Sequence, residues 1–124
     1  MTSDEFRRLA VSMNGAVEGA HMNHPDFRAN GKIFATLYPD GERGMVKLTP
    51  EQQQDFISAD GAAFEPASGA WGRQGCTTVR LAVADEDKLG EAMTLAWKNT
   101  LKSPVSTAVK TKRPVKATKQ SRKR

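Results

Sequence analysis

From Lys102 to Arg124 the chain contains no Leu, Ile, Phe or Trp and no acidic residue, so any hydrophobic core must come from the first 101 positions. Fixing one residue costs roughly 1–2 kcal/mol of backbone entropy, and this segment offers little apolar burial to offset it. The predicted organisation is therefore one folded domain over residues 1–101 and a disordered basic tail over residues 102–124. The tail holds nine cations: Lys102, Lys110, Lys112, Arg113, Lys116, Lys119, Arg122, Lys123 and Arg124. Before it stand ten Lys and Arg against fourteen Asp and Glu, so the basic character of the chain belongs to the tail and the body is mildly acidic.

Within the body the apolar periodicity changes several times. Thr2 and Glu5 have capping-box spacing, and Phe6, Leu9, Ala10 and Met13 form one stripe, which predicts a helix from Ser3 that stops at Asn14-Gly15. Between Val17 and Leu48 the period falls to two, with Asn30-Gly31 and Asp40-Gly41 as turn dipeptides, and a three-strand meander is expected. Alternation assigns Ile33, Ala35 and Leu37 to the core face and Lys32, Phe34, Thr36 and Tyr38 to the other. Thr49-Pro50-Glu51-Gln52 is a second helix start, with Gly61 as its end. A short edge strand over 62–66, a glycine-rich loop from Ala67 to Gly75 and a strand through Val79, Leu81 and Val83 follow. Asp85, Glu86 and Asp87 then open a helix whose stripe runs through Leu89, Ala92, Met93, Ala96, Trp97 and Leu101. The expected class is α+β: a two-layer antiparallel sheet with helices, in the order helix, three strands, helix, two strands, helix.

The chemistry of the chain points to binding and not to catalysis. Nine cations on a flexible arm can neutralise phosphates and release counterions without reading sequence, against a reading of the arm as a solubilising or targeting tail. In the body, Arg28, Lys32, Lys47 and Arg73 are the candidate phosphate contacts, and Trp71 beside Arg73 is the candidate ring for base stacking, against a structural reading in which Trp71 packs over the sheet edge. Phe34 and Tyr38 with Lys32 offer a second aromatic and basic face, against burial under another helix layer. His21, His24 and Asp26 are ligand types, but their spacing is not diagnostic and Pro25 holds His24 extended, so no metal is expected. The lone Cys76 reads as a buried thiol. No phosphate-cradling Gly-Lys-Ser/Thr loop, dinucleotide fingerprint or Gly-x-Ser-x-Gly elbow is present, so neither a catalytic residue nor a cofactor is expected. A single cysteine, an acidic N-terminus and the lack of a long apolar run lead to the expectation of a cytoplasmic chain with no membrane partner.

The runs His24-Pro25-Asp26-Phe27-Arg28, Gly31-Lys32-Ile33-Phe34-Ala35-Thr36-Leu37 and Trp71-Gly72-Arg73-Gln74-Gly75 resemble the MmcQ/YjbR family. The likeness extends in order and spacing over about residues 1–101, through Val46-Lys47-Leu48 and Ala92 to Trp97. It implies a compact two-layer fold of the order just given and a bacterial protein of a family described as DNA-binding, with no catalytic residues to carry over. Cys76 departs from the family pattern, which has a second tryptophan after Gly75. Two functions stay open: nucleic-acid binding, DNA in the first instance, and a protein-interaction module of secretion-chaperone-like fold.

Overall fold

The structure is a computed structural model that describes residues 1–21 and 24–101. Its first helix, α1 (Ser3–Val11), begins on the capping box expected of it: Thr2 Oγ1 accepts from the Glu5 amide at 3.1 Å, and Glu5 Oε1 accepts from the Thr2 amide at 2.7 Å. Four strands follow, β1 (Val17–His21), β2 (His24–Ala29), β3 (Lys32–Leu37) and β4 (Arg43–Lys47), then α2 (Pro50–Ala59), β5 (Phe64–Pro66), α3 (Gly69–Arg73), β6 (Cys76–Arg80) and α4 (Glu86–Asn99). The strands form a single antiparallel sheet in the order β1-β2-β3-β4-β6-β5, which confirms the α+β class and puts β5 on an edge as expected.

Two features of element order differ from the expectation. The stretch before Asn30 is two strands and not one, paired from Val17 against Arg28 to His21 against His24. No Gly or Pro punctuates the sequence between those strands, so turn chemistry gave no sign of the extra reversal. The glycine-rich segment also contains the short helix α3. The other turns fall where the sequence puts them. Asn30 and Gly31 take φ of 55° and 78°, the left-handed pair that a tight hairpin requires, and Gly41 takes 70°. Asp40 Oδ1 accepts from the Glu42 amide at 2.8 Å and the Arg43 amide at 3.2 Å. The Glu42 amide, followed by the Arg43 guanidinium, holds the Asp40 carboxyl below its usual range.

The most consequential departure is a β-bulge. Asp26 faces Thr36 and Phe27 faces Ala35, yet Arg28 faces Ile33, so β3 carries one residue more than β2 across this interval. That residue is Phe34. Cross-strand partners share a face, so Phe27, Ala35, Val46 and Thr77 form one row and Asp26, Thr36, Met45 and Thr78 the opposite row. The bulge moves Phe34 into the first set and Ile33 into the second. Phe34 is 0% exposed within the core, which corrects its assignment to the face away from the core, and Ile33 is only partly buried. Lys32, opposite Ala29, does not share a face with Tyr38.

The core lies between the sheet and the helices. Phe6, Leu89, Met93 and Ala96 pack from α1 and α4 onto Phe27, Phe34, Val46 and Val79 of the sheet, with Phe56 of α2 5.2 Å from Phe64. Gly44 is where α1 comes closest: a Cβ there would lie 2.6 Å from Phe6 Cε2.

These facts give an order of destabilisation that simple alternation reverses. Truncating Phe34 to Ala should cost about 3–5 kcal/mol and truncating Ile33 about 1 kcal/mol or less, measured by urea denaturation. Equal losses, or a larger one at Ile33, would be incompatible with the bulge.

Candidate nucleic-acid interface

The sheet face opposite the helices is not bare. The chain leaves β5, makes α3 and returns along β6, and this detour packs on the open face. The glycines of the detour are structural. A Cβ at Gly72 would fall 1.9 Å from the Ala67 carbonyl oxygen, and one at Gly75, whose φ is 110°, would fall 2.0 Å from that of Leu48. Only glycine permits these approaches. Gln53 of α2, 4% exposed, fixes the same region from below: its Nε2 donates to the Gly72 carbonyl at 2.9 Å and to the Cys76 carbonyl at 3.0 Å. One buried amide thus ties α2, α3 and β6 together, a role that a polar residue on a predicted helix surface did not announce.

Between α3 and the strands runs a groove of about 510 Å³, lined by His24, Ile33, Thr36, Tyr38, Met45, Lys47, Ala67, Ser68, Trp71 and Cys76. Trp71 is 64% exposed, so the ring stands at the groove and not in the core. That excludes the core reading of Trp71 while leaving the ring beside the sheet. Tyr38 is held from two sides, by a hydroxyl contact with Thr78 Oγ1 at 2.9 Å and by the Arg43 guanidinium 4.6 Å from its ring centre. Cys76 also lines the groove, 4% exposed, and burial pushes its thiol up while the nearby Lys47 charge opposes the shift. A raised thiol is a poor nucleophile at neutral pH, in keeping with the inert role expected of it.

A second groove, of about 780 Å³, adjoins the first and shares Ile33 and Lys47 with it. It brings Arg28, Lys32 and Lys47 together with Gln74, Asn99 and Thr100. Three of the four cations singled out in the body therefore converge, while Arg73, exposed in the last turn of α3, lines neither groove. The cations are not equivalent. Arg28 donates from Nε and Nη2 to both carboxylate oxygens of Asp26, at 2.9 and 3.0 Å, and this pairing raises its pKa. Asp26 is 0% exposed, and Gly19 on β1 leaves room for the pair, since a Cβ there would approach Asp26 Oδ1 to 3.0 Å. Arg43 pairs with Asp40 at 2.8 Å and Arg80 with Glu65 at 2.6 Å. Among the described residues Lys47 and Arg73 form no ion pair.

The remaining candidates, the nine cations from Lys102 to Arg124, lie outside the described residues. Among the described residues no three His, Cys, Asp or Glu side chains form a group that could hold a metal, and no helix is long and apolar enough to cross a membrane. The sequence named Trp71 and Lys47 but missed Ile33 and Met45 as lining. The signal for Met45 was its alternation with Gly44 and Val46, whereas Ile33 was hidden by the bulge.

A six-stranded antiparallel sheet with α1, α2 and α4 on one face and a short helix across the other defines the class of protein. The YjbR family model matches residues 11–99, and the chain belongs to that family. The match is shorter than the span over which its motifs resemble the family, leaving the start of α1 and the tail outside. The fold is also that of the Deinococcus radiodurans protein DR2400, a DUF419 domain, with a TM-score of 0.70 at 17% identity over 86% of this chain and 83% of that one. None of the curated proteins matches the sequence.

The Gln53 anchor sets an expectation for stability. Gln53→Ala removes the donor to two carbonyls and should cost about 2 kcal/mol, with a change in Trp71 emission as α3 loosens. Gln54→Ala, on the exposed side of the same helix, should be nearly neutral by the same urea titration. Equal stability of the two variants would dismiss the anchor.

Proposed function

We propose that the protein binds nucleic acid, DNA in the first instance, without catalysing a reaction on it. The observation that carries this reading is the convergence of Arg28, Lys32 and Lys47 on one groove that also includes Thr100, two residues before the first cation of the basic tail. The described chain thus runs up to the start of the tail beside these three cations. Membership of the YjbR family supports a non-catalytic role. In this reading Lys102, Lys110, Lys112, Arg113, Lys116, Lys119, Arg122, Lys123 and Arg124 supply sequence-independent phosphate binding, and Lys47, Lys32, Arg28, Trp71 and Arg73 orient the ligand on the body. Arg28 is the weakest of these contacts, because its guanidinium already satisfies a buried carboxylate.

The apolar lining of the open-face groove by Ile33, Met45, Tyr38 and Trp71 favours a second reading, a protein-interaction surface. A partner recovered on the full-length protein after nuclease treatment, and lost on mutation of Met45, would select that reading.

The tail makes the nucleic-acid reading quantitative. If about six of its nine cations engage phosphates, the slope of log K against log salt should be near −5 for the full chain. Removing residues 102–124 should weaken binding and flatten that slope. Unchanged affinity and slope after truncation would take the tail out of the function.

A further inference from the structure

We infer that the open-face groove accepts unpaired nucleobases, so that the nucleic acid this protein selects is single-stranded. The inference rests on the nucleic-acid reading above and names the form of the ligand. Trp71 is the most exposed of the large apolar side chains among the described residues, and it lines a groove together with Ile33, Met45 and Ala67. An exposed indole at a groove is a stacking surface for any base, because every base has a π face. Ile33 and Met45 line the same groove and offer apolar surface to a flat ring, and Tyr38 lines it in an orientation fixed by Thr78 and Arg43.

Charge is arranged to match. Lys47 belongs to both grooves and forms no ion pair among the described residues, so it is a free cation at the junction between the open-face groove and the cation cluster. A strand whose base enters the groove brings its phosphates past Lys47 toward Lys32. A duplex cannot use this arrangement. Its base faces are stacked on one another, and turning one out costs a few kcal/mol before any contact with Trp71 forms. The flat edge of a duplex meets only phosphate contacts, whereas a single strand meets both terms.

The experiment uses the full-length protein, titrated with a short oligodeoxythymidine and with a duplex of the same length while Trp emission and anisotropy are followed. The other indole, Trp97, donates Nε1 to the Asn14 carbonyl at 2.8 Å and lines neither groove, so loss of quenching in Trp71→Phe assigns the signal to Trp71. The expected result is quenching by the single strand and little by the duplex. Trp71→Ala should weaken the single strand about ten-fold or more, Trp71→Phe should recover part of that loss, and duplex affinity should stay within about two-fold. Because the ring is exposed, neither change should compromise folding, which a melting curve checks. Equal binding of both ligands with silent Trp71 emission and no effect of Trp71→Ala would overturn the inference while leaving phosphate binding intact. No binding of either ligand at low salt would overturn the nucleic-acid reading and the inference with it.

Discussion

One extra residue in one strand governs how this sheet is used. The bulge between β2 and β3 leaves Phe34 and Ala35, neighbours in sequence, both at 0% exposure on the helix side, and turns Ile33 to the other face. A bulky aromatic is thereby available to fill the space under α4, where Met93 and Ala96 are also fully or almost fully buried. The open face in exchange receives an aliphatic side chain at the position where Lys47 and the two grooves meet. Without the bulge, period-two alternation would put a phenylalanine on the open face and an isoleucine in the core. Core volume and groove chemistry are therefore settled by the same backbone irregularity.

The second constraint is the α3 detour. A five-residue helix has too few internal hydrogen bonds to hold itself in place, and Ser68 makes no side-chain cap to it. Its position comes from outside, through the close packing permitted at Gly72 and Gly75 and the paired bonds from Gln53. A polar side chain is acceptable in this buried place because its amide donates to two carbonyl oxygens, each of which also accepts from a backbone amide, so its buried donor is satisfied. The consequence reaches Trp71, which is carried on a rigidly seated turn and left exposed. An ordered exposed ring loses less freedom on binding than one on a loose loop.

These two constraints also explain what the sequence disclosed. Helix ends were legible because capping is local chemistry: Thr2 with Glu5, and Thr49 with Gln52, are read within four residues and form the hydrogen bonds they imply. The Asn30-Gly31 hairpin was legible for the same reason. The parity of β3 was not, because a bulge is defined by the partner strand and leaves no mark in the strand's own alternation. The division of the first strand escaped notice because residues 22 and 23 are Met and Asn, with neither Gly nor Pro. Gln53 was invisible since burial of a helix face by α3 is a tertiary fact. Among the candidate site residues, Lys47 and Trp71 were found by type and turned out to share a groove, while Arg28 was found by type and turned out to be paired with a carboxylate two residues away.

That pairing bears on how charge is divided along the chain. Arg28, Arg43 and Arg80 are each joined to a carboxylate, so their fields largely cancel at the distances over which a polyanion is first attracted. A body holding fourteen acidic and ten basic residues adds a weak repulsion. Long-range attraction in the proposed function must then come from the nine tail cations, whereas Lys47 and Arg73, which form no ion pair among the described residues, act only at contact. The two kinds of charge have different salt dependence: the tail term falls steeply with counterion concentration, whereas stacking on Trp71 does not. Raising salt should therefore strip away non-selective affinity first and leave whatever preference the groove confers more visible, which is the regime in which an unpaired strand and a duplex separate.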